Sequence, residues 1–324
     1  MEQLKAIELP VKEALAKFNI DFAKSLHSNT ALLNNAIHYI MNSTGKHVRP
    51  LLLLLSAKAC GRISENSINS SVLLELLHTA TLIHDDVVDE TKQRRGVPSL
   101  NAIFDNRVSV LTGDYLLATA LIRAIKTQNL QIISIVSNLG RQLSEGELHQ
   151  MEVAEESLID EEAYMSVIYK KTAALLSSCS QIGAISVNAD TETVKICASF
   201  GEALGYAFQI KDDIFDYDAH ANIGKPTGND IREGKVTLPL LYALQVGRGE
   251  QRERLLHLVK DKDFTHEHVH QLIQYSIKMG GLHYAEKKMQ FYMDKAIESI
   301  LQLPPSDSRD SLVNLAHFII DRKK

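Results

Sequence analysis

The 324-residue sequence has no tryptophan, only three cysteines and seven prolines, and 16 glycines. So few breakers, with Leu, Ala, Ile, Glu and Lys dominant, predict an all-α protein, because Ala and unbranched side chains lose least on entering a helix. Cys60, Cys179 and Cys197 stand at neither metal-ligand nor disulfide spacing, which points to core thiols in a reducing cytosol. The start MEQLKAIELP lacks a basic segment followed by an apolar run, so no export signal is expected. The greasiest stretch, LLLLLSAKAC, is far short of the ~20 apolar residues that cross a bilayer, and a buried helix in a cytoplasmic protein without a transmembrane segment is expected. A net charge of -5 offers no basic excess for nucleic acid. Neither GxxxxGK[ST] nor GxGxxG occurs, which argues against phosphoryl transfer from ATP.

What is present is a 45% hydrophobic chain able to bury a large core. Apolar periodicity predicts helices over roughly 2–17, 20–41, 48–61, 66–89, 107–126, 128–155, 160–187, 191–218 and 232–247, then shorter ones to the end. No low-complexity segment or composition shift divides the chain, so residues 1–324 read as a single domain. Two polar connections, TKQRRGVPSLNAIFDN and DAHANIGKPTGNDIREGK, carry the Gly, Pro and basic residues of loops suited to phosphate.

Each of those connections follows a triplet of aspartates on a greasy helix: Asp85, Asp86 and Asp89 in LIHDDVVDE, then Asp212, Asp213 and Asp216 in QIKDDIFDY. The first and last members of each triplet share a helix face, with the middle one about 100° round. Two carboxylates ~4 Å apart repel by roughly 4 kcal/mol at an effective dielectric of ~20, so such crowding needs an offset. A hard divalent cation supplies it, and Mg²⁺ is usually bound jointly by carboxylates and substrate phosphates. Lys46, Arg49, Arg94, Arg95, Lys170, Lys171, Lys225 and Lys235 provide the cations that complement a diphosphate directly.

With GKHVRP, RRG, KTA, GYAFQIKDD and GKVTLPL in order around the two DDxxD motifs, nearly the whole chain resembles the trans-polyprenyl diphosphate synthases. The resemblance implies a single-domain helical bundle of the isoprenoid-synthase type around a deep central cavity, usually a homodimer. It implies a set of three Mg²⁺ on Asp85, Asp86, Asp89, Asp212, Asp213 and Asp216, which grip an allylic diphosphate, farnesyl diphosphate being the expected primer. That diphosphate ionises and its cation is attacked by isopentenyl diphosphate. By the same resemblance Lys46, Arg49, His78 and Arg95 hold isopentenyl diphosphate. Arg94, Lys171, Thr172, Gln209, Lys225 and Lys235 serve the allylic diphosphate, with Lys171, Thr172 and Gln209 nearest the chemistry. The family's usual GGKRxRP departs here at Ser43, Thr44 and His47. His47 is mostly uncharged near neutral pH, so weaker or more pH-dependent binding of isopentenyl diphosphate is expected.

Counting back from Asp85, the expected chain-length wall is Ala80 and Thr81, with Leu77 a turn deeper and Leu121 or Ile122 at the cavity floor. Small residues at the first turn leave a tunnel open. ELLHTATLIHDDVVDE and SEGELHQMEVAEE look most like octaprenyl synthases, so a product of about eight isoprene units, of the kind used for quinone side chains, is expected. The competing readings are a shorter-chain synthase, an HD-type phosphohydrolase using His84 and Asp85, and a non-catalytic subunit of a heteromeric synthase. HEHVH at His266–His270 formally matches HExxH, but its polar surroundings and lack of a third ligand make it a histidine-rich surface helix.

Overall fold

Helices form wherever apolar residues recur at three to four positions, and the breaks fall at identifiable residues. The computed structural model describes residues 2–43, 47–94, 96–157, 159–217 and 228–321. Lys46, Arg95 and Lys225, three of the expected diphosphate ligands, lie outside the described residues, as does Thr44. The helices are α1 (Glu2–Glu8), α2 (Lys12–Ser25), α3 (Ala31–Ser43), α4 (Val48–Cys60), α5 (Glu65–Val88), α6 (Leu100–Phe104), α7 (Asn106–Lys126), α8 (Leu130–Glu155) and α9 (Glu161–Ile168). They continue as α10 (Ala174–Ile185), α11 (Thr191–Phe215), α12 (Asn229–Arg232), α13 (Leu238–Val246), α14 (Glu250–Lys260), α15 (His266–Lys278), α16 (Gly281–Ile300) and α17 (Asp307–Ile320). The only strands among the described residues are two two-residue segments paired antiparallel, Gln93 opposite Pro98 and Arg94 opposite Val97.

Three sequence expectations are corrected. The helix expected over 2–17 breaks into a 3₁₀ turn at Leu9–Val11, where Pro10 removes a donor. The helix expected over 20–41 is two, because Asn34 folds back on Ser28, its side-chain oxygen accepting from the Ser28 N–H, and closes a turn. The helix expected over 160–187 carries a π-helical turn at Tyr169–Ala173.

The chain forms two compact units, interleaved in sequence: 1–140, 176–201 and 299–315 in one, and 141–175, 202–298 and 316–324 in the other. In the first, α5 packs on α7, α4 and α2. Its N-terminus is set by a capping box in which the Ser64 hydroxyl accepts from the Ser67 N–H and the Ser67 hydroxyl from the Ser64 N–H. Leu51 through Leu55 are all buried, so LLLLL is the core helix its composition suggested. On α7 the face toward the interior is built of Ser109, Thr112, Gly113, Leu116, Ala120 and Ala124. Mostly small side chains there let α5 approach closely: a Cβ at Gly113 would stand 2.1 Å from His84 Nε2.

Apart from Leu116, the larger apolar residues Leu111, Leu121, Ile122 and Ile125 of α7 are exposed. Leu121 and Ile122 are 57% and 55% exposed, which removes them as the floor of a cavity within this chain, because the interior face of the helix is taken by Leu116 and small residues. Among the described residues α7 is also the one helix long and apolar enough to cross a membrane by length and composition, with a third of that stretch buried. The cysteines meet in space despite their sequence spacing: Cys60 Sγ lies 3.5 Å from Cys197 Sγ, both as free thiols.

In the second unit Tyr217, Ile231, Leu240, Leu244, Leu255, Val259 and Leu272 form a contiguous core under α12 to α15. His268 turns its Nδ1 to Asp263 Oδ1 at 3.0 Å, while His266 and His270 are exposed. The opposite face of α15 is buried through Val269, Leu272 and Ile273, so its start carries His266 and His270 at the surface.

Candidate active site

The first aspartate triplet closes α5. Asp85 is half-buried, Asp89 forms the C-cap and is exposed, and Asp86, on the intervening face, is 4% exposed. A charge so buried needs partners. The hairpin that follows supplies one: Arg94 Nε donates to Asp86 Oδ1 and Oδ2 at 2.8 and 3.0 Å, and a terminal nitrogen stands 2.7 Å from Oδ1. Asn101 Nδ2 donates to the Asp86 carbonyl at 3.1 Å, and the Ser99 hydroxyl to the Thr91 carbonyl at 2.6 Å, tying the hairpin's exit to the helix end. Arg94, expected on the allylic diphosphate, thus spends a bidentate contact on a motif aspartate.

In the same unit His78 is buried, as are Leu77 and Ala80, and Thr81 is partly so, its hydroxyl donating to the His78 carbonyl. His47 opens α4 in the left-handed region at φ 46°. Its ring packs edge-on against Phe18 and Phe22, and its Nδ1 sits 3.3 Å from the buried Glu75 carboxylate. Arg49 follows in the first turn of α4.

The second triplet ends α11. Asp213 is 4% exposed and both of its oxygens accept hydrogen bonds: Oδ1 from Gln209 Nε2 at 2.9 Å, Oδ2 from the Tyr164 hydroxyl at 2.7 Å. Burial, and next the charge of Asp230, push its carboxyl up to about 8. Asp216 accepts on both oxygens from backbone, Oδ1 from the Asn229 N–H at 2.9 Å and Oδ2 from the Asp230 N–H at 3.0 Å, and burial raises its pKa as well. Thr172 donates to Gln209 Oε1 at 2.7 Å, which fixes the amide so that its NH₂ faces Asp213. Lys171 Nζ pairs with Glu147 Oε1 at 2.8 Å and donates to Gln150 Oε1 at 2.8 Å. Lys235 Nζ is 2.6 Å from Glu233 Oε2.

A cleft of about 190 Å³ within this unit is lined by Gln150, Asp160, Tyr164, Lys171, Gln209, Asp213, Asp230 and Lys235 beside the apolar Val153, Val167, Ile168 and Leu241. A polar end and an apolar wall suit an ester of a charged head and a hydrocarbon. The aspartate donors are all oxygen, as Mg²⁺ prefers, although among the described residues no three His, Cys, Asp or Glu side chains stand close enough to hold an ion by themselves. The residues therefore fit a cation that completes its shell with substrate oxygens and water. Tyr164, Asp230, Glu147 and Gln150 were missed from sequence. Asp230, in the GND of the second polar connection, and Glu147, in SEGELHQ, lay within stretches already singled out, whereas Tyr164 carries no local signal.

A family model described as polyprenyl synthetase matches residues 30–276. The chain is 34% identical to an octaprenyl diphosphate synthase of Escherichia coli over 99% of both chains. Among solved structures, a polyprenyl synthase from Caulobacter crescentus complexed with calcium and isoprenyl diphosphate is 30% identical, with TM-score 0.91 over 99% of this chain and 98% of that one. A geranylgeranyl pyrophosphate synthase from Bacteroides thetaiotaomicron is 39% identical, with TM-score 0.86 over 99% of this chain and all of that one.

Proposed function

Because the chain belongs to the polyprenyl synthetase family, we propose that it is a trans-prenyltransferase that extends an allylic diphosphate, farnesyl diphosphate being the expected primer, with isopentenyl diphosphate. The product is a long polyprenyl diphosphate of about eight isoprene units, a length suited to quinone side chains. The observation that carries this reading is the end-to-end similarity to octaprenyl diphosphate synthases with both DDxxD motifs intact.

Departure of the allylic pyrophosphate builds negative charge on oxygen and leaves an allylic cation on carbon. The motif aspartates would hold magnesium, which when bound would supply positive charge against the departing diphosphate. Lys171 and Lys235 line the polar end of the cleft and add fixed positive charge there. Thr172 and Gln209 are held together by the hydrogen bond from the Thr172 hydroxyl to Gln209 Oε1 and stand nearest the developing cation on this reading. The apolar wall keeps water from capturing it. His78, Arg49, Lys46 and Arg95 hold isopentenyl diphosphate, and the released pyrophosphate accepts the proton lost from C2. Leu77, Ala80 and Thr81 line the wall along the growing chain. The exposed apolar face of α7, with Leu121, Ile122 and Ile125, seats a second copy in a homodimer, and the enzyme works in the cytoplasm.

Incubation with Mg²⁺, radiolabelled isopentenyl diphosphate and farnesyl diphosphate tests the reading: elongation to a ladder ending near eight units is expected. Phosphate release without elongation, or no reaction, overturns it. The similarity to a geranylgeranyl pyrophosphate synthase favours a second reading, a product of about four units, which chromatography of the same reaction separates.

A further inference from the structure

We propose that Tyr164 is a positioning residue for the second aspartate motif, brought to it by the π turn at Tyr169–Ala173; the inference rests on the prenyl-transfer reading above. Four side chains form an ordered chain, Thr172 to Gln209 to Asp213 with Tyr164 closing on the far oxygen, every link between 2.7 and 2.9 Å. The two middle members stand one turn apart on α11. The two outer members both belong to the stretch 161–173.

On an uninterrupted α-helix, residues eight apart point about 80° away from each other, so Tyr164 and Thr172 would not both reach α11. The π turn, in which the Ala174 N–H bonds to the Tyr169 carbonyl five residues back, absorbs one extra residue. The separation then behaves as about seven residues, and the two side chains fall within about 20° of one face. Thr172 meets Gln209 while Tyr164 meets Asp213, so the two segments run antiparallel.

The surroundings are shaped for that irregular turn. A Cβ at Gly205 of α11 would lie 2.4 Å from Ala173 Cα, and one at Gly146 of α8 would lie 2.8 Å from Lys170 Cβ. Both glycines stand where a neighbouring helix presses on the turn. Tyr164 is itself buried, and its hydroxyl donates to Asp213 Oδ2 at 2.7 Å.

A carboxylate offers about four lone-pair sites, and the two donors take one on each oxygen. The remaining pairs are then fixed in direction rather than free to rotate. Tyr164 thus sets the orientation in which Asp213 faces a cation.

The test is Tyr164→Phe in the full-length enzyme, with Mn²⁺ as the probe ion and inorganic pyrophosphate as its co-ligand, followed by electron paramagnetic resonance. Affinity for Mn²⁺ is expected to weaken about tenfold, with kcat falling by a similar factor and KM for isopentenyl diphosphate unchanged. A double-mutant cycle with Asp213→Asn is the second measurement. If Tyr164 acts through Asp213, adding Tyr164→Phe to Asp213→Asn changes Mn²⁺ affinity little. Wild-type Mn²⁺ affinity in Tyr164→Phe, or fully additive losses in the cycle, overturns the proposal. Failure of the wild type to elongate while it still binds Mn²⁺ and pyrophosphate overturns the functional reading and leaves this inference to be decided by the binding data.

Discussion

Arg94 clasps Asp86 through Nε at 2.8 and 3.0 Å and a terminal nitrogen at 2.7 Å, although their Cα atoms belong to different elements, a hairpin strand and a helix end. Removing the guanidinium strands a carboxylate that is almost fully buried. Arg94→Leu is expected to lower stability by about 1–2 kcal/mol, less than for a fully buried pair because the arginine side chain is more than a third exposed. The midpoint of urea unfolding checks this, and an unchanged midpoint would show that the pair contributes nothing net.

Asp85→Ala and Asp212→Ala should each leave a folded helical protein whose turnover is lower by orders of magnitude. Circular dichroism and single-turnover elongation measure the two halves of that statement. Near-normal turnover in either variant contradicts the role given to that aspartate.

Ala80 is fully buried on α5, one turn and a half before Asp85. Ala80→Phe should shorten the product. It should also carry an overpacking penalty of about 1–3 kcal/mol. Product chromatography decides: a ladder of wild-type length means that Ala80 is not part of the wall.

The pH dependence of the chelator-treated protein follows from Asp213. Its folded-state pKa of about 8 lies above the usual 3.8 of an aspartic acid. Between those values the folded chain keeps a proton that the unfolded chain has released, so this site's contribution is fully present below about pH 4 and is lost as pH rises through about 8. The melting temperature of metal-free protein should therefore carry a declining component over that window. Asp213→Asn should flatten it, and adding Mg²⁺ with pyrophosphate should oppose the decline. Identical pH profiles for wild type and Asp213→Asn would remove the assignment.

Leu121, Ile122 and Ile125 crowd exposed apolar surface onto one helix. The double substitution Leu121→Arg and Ile125→Arg should convert a dimer into a monomer, as read by light scattering after size exclusion. A wild-type protein already monomeric at micromolar concentration would show that the face has another use.

Much of this was legible in the sequence because the signals were local. The periodicity around Leu51–Leu55 and the aspartates of α5 and α11 need only a helix of 3.6 residues per turn to be interpreted. Lys171, Thr172 and Gln209, named from motif order, come together in space. What escaped was of two kinds. Tyr164 matters through a partner 49 residues away, and such pairing has no signature within a helical window. The outward turn of Leu121 and Ile122 escaped because apolar side chains read as interior from composition alone. On α7 the inward face needed small residues instead, so that α5 could come close enough for His84 to sit over Gly113.

Asp216 also fastens the two edges of a seam. Its carbonyl accepts from the Gly228 N–H at 2.8 Å while its carboxylate caps Asn229 and Asp230, so the backbone at 228–230 is stitched directly to the end of α11. A substitution at 216 removes both carboxylate contacts and leaves only the backbone one, so it loosens Asp230 as well as changing the motif itself.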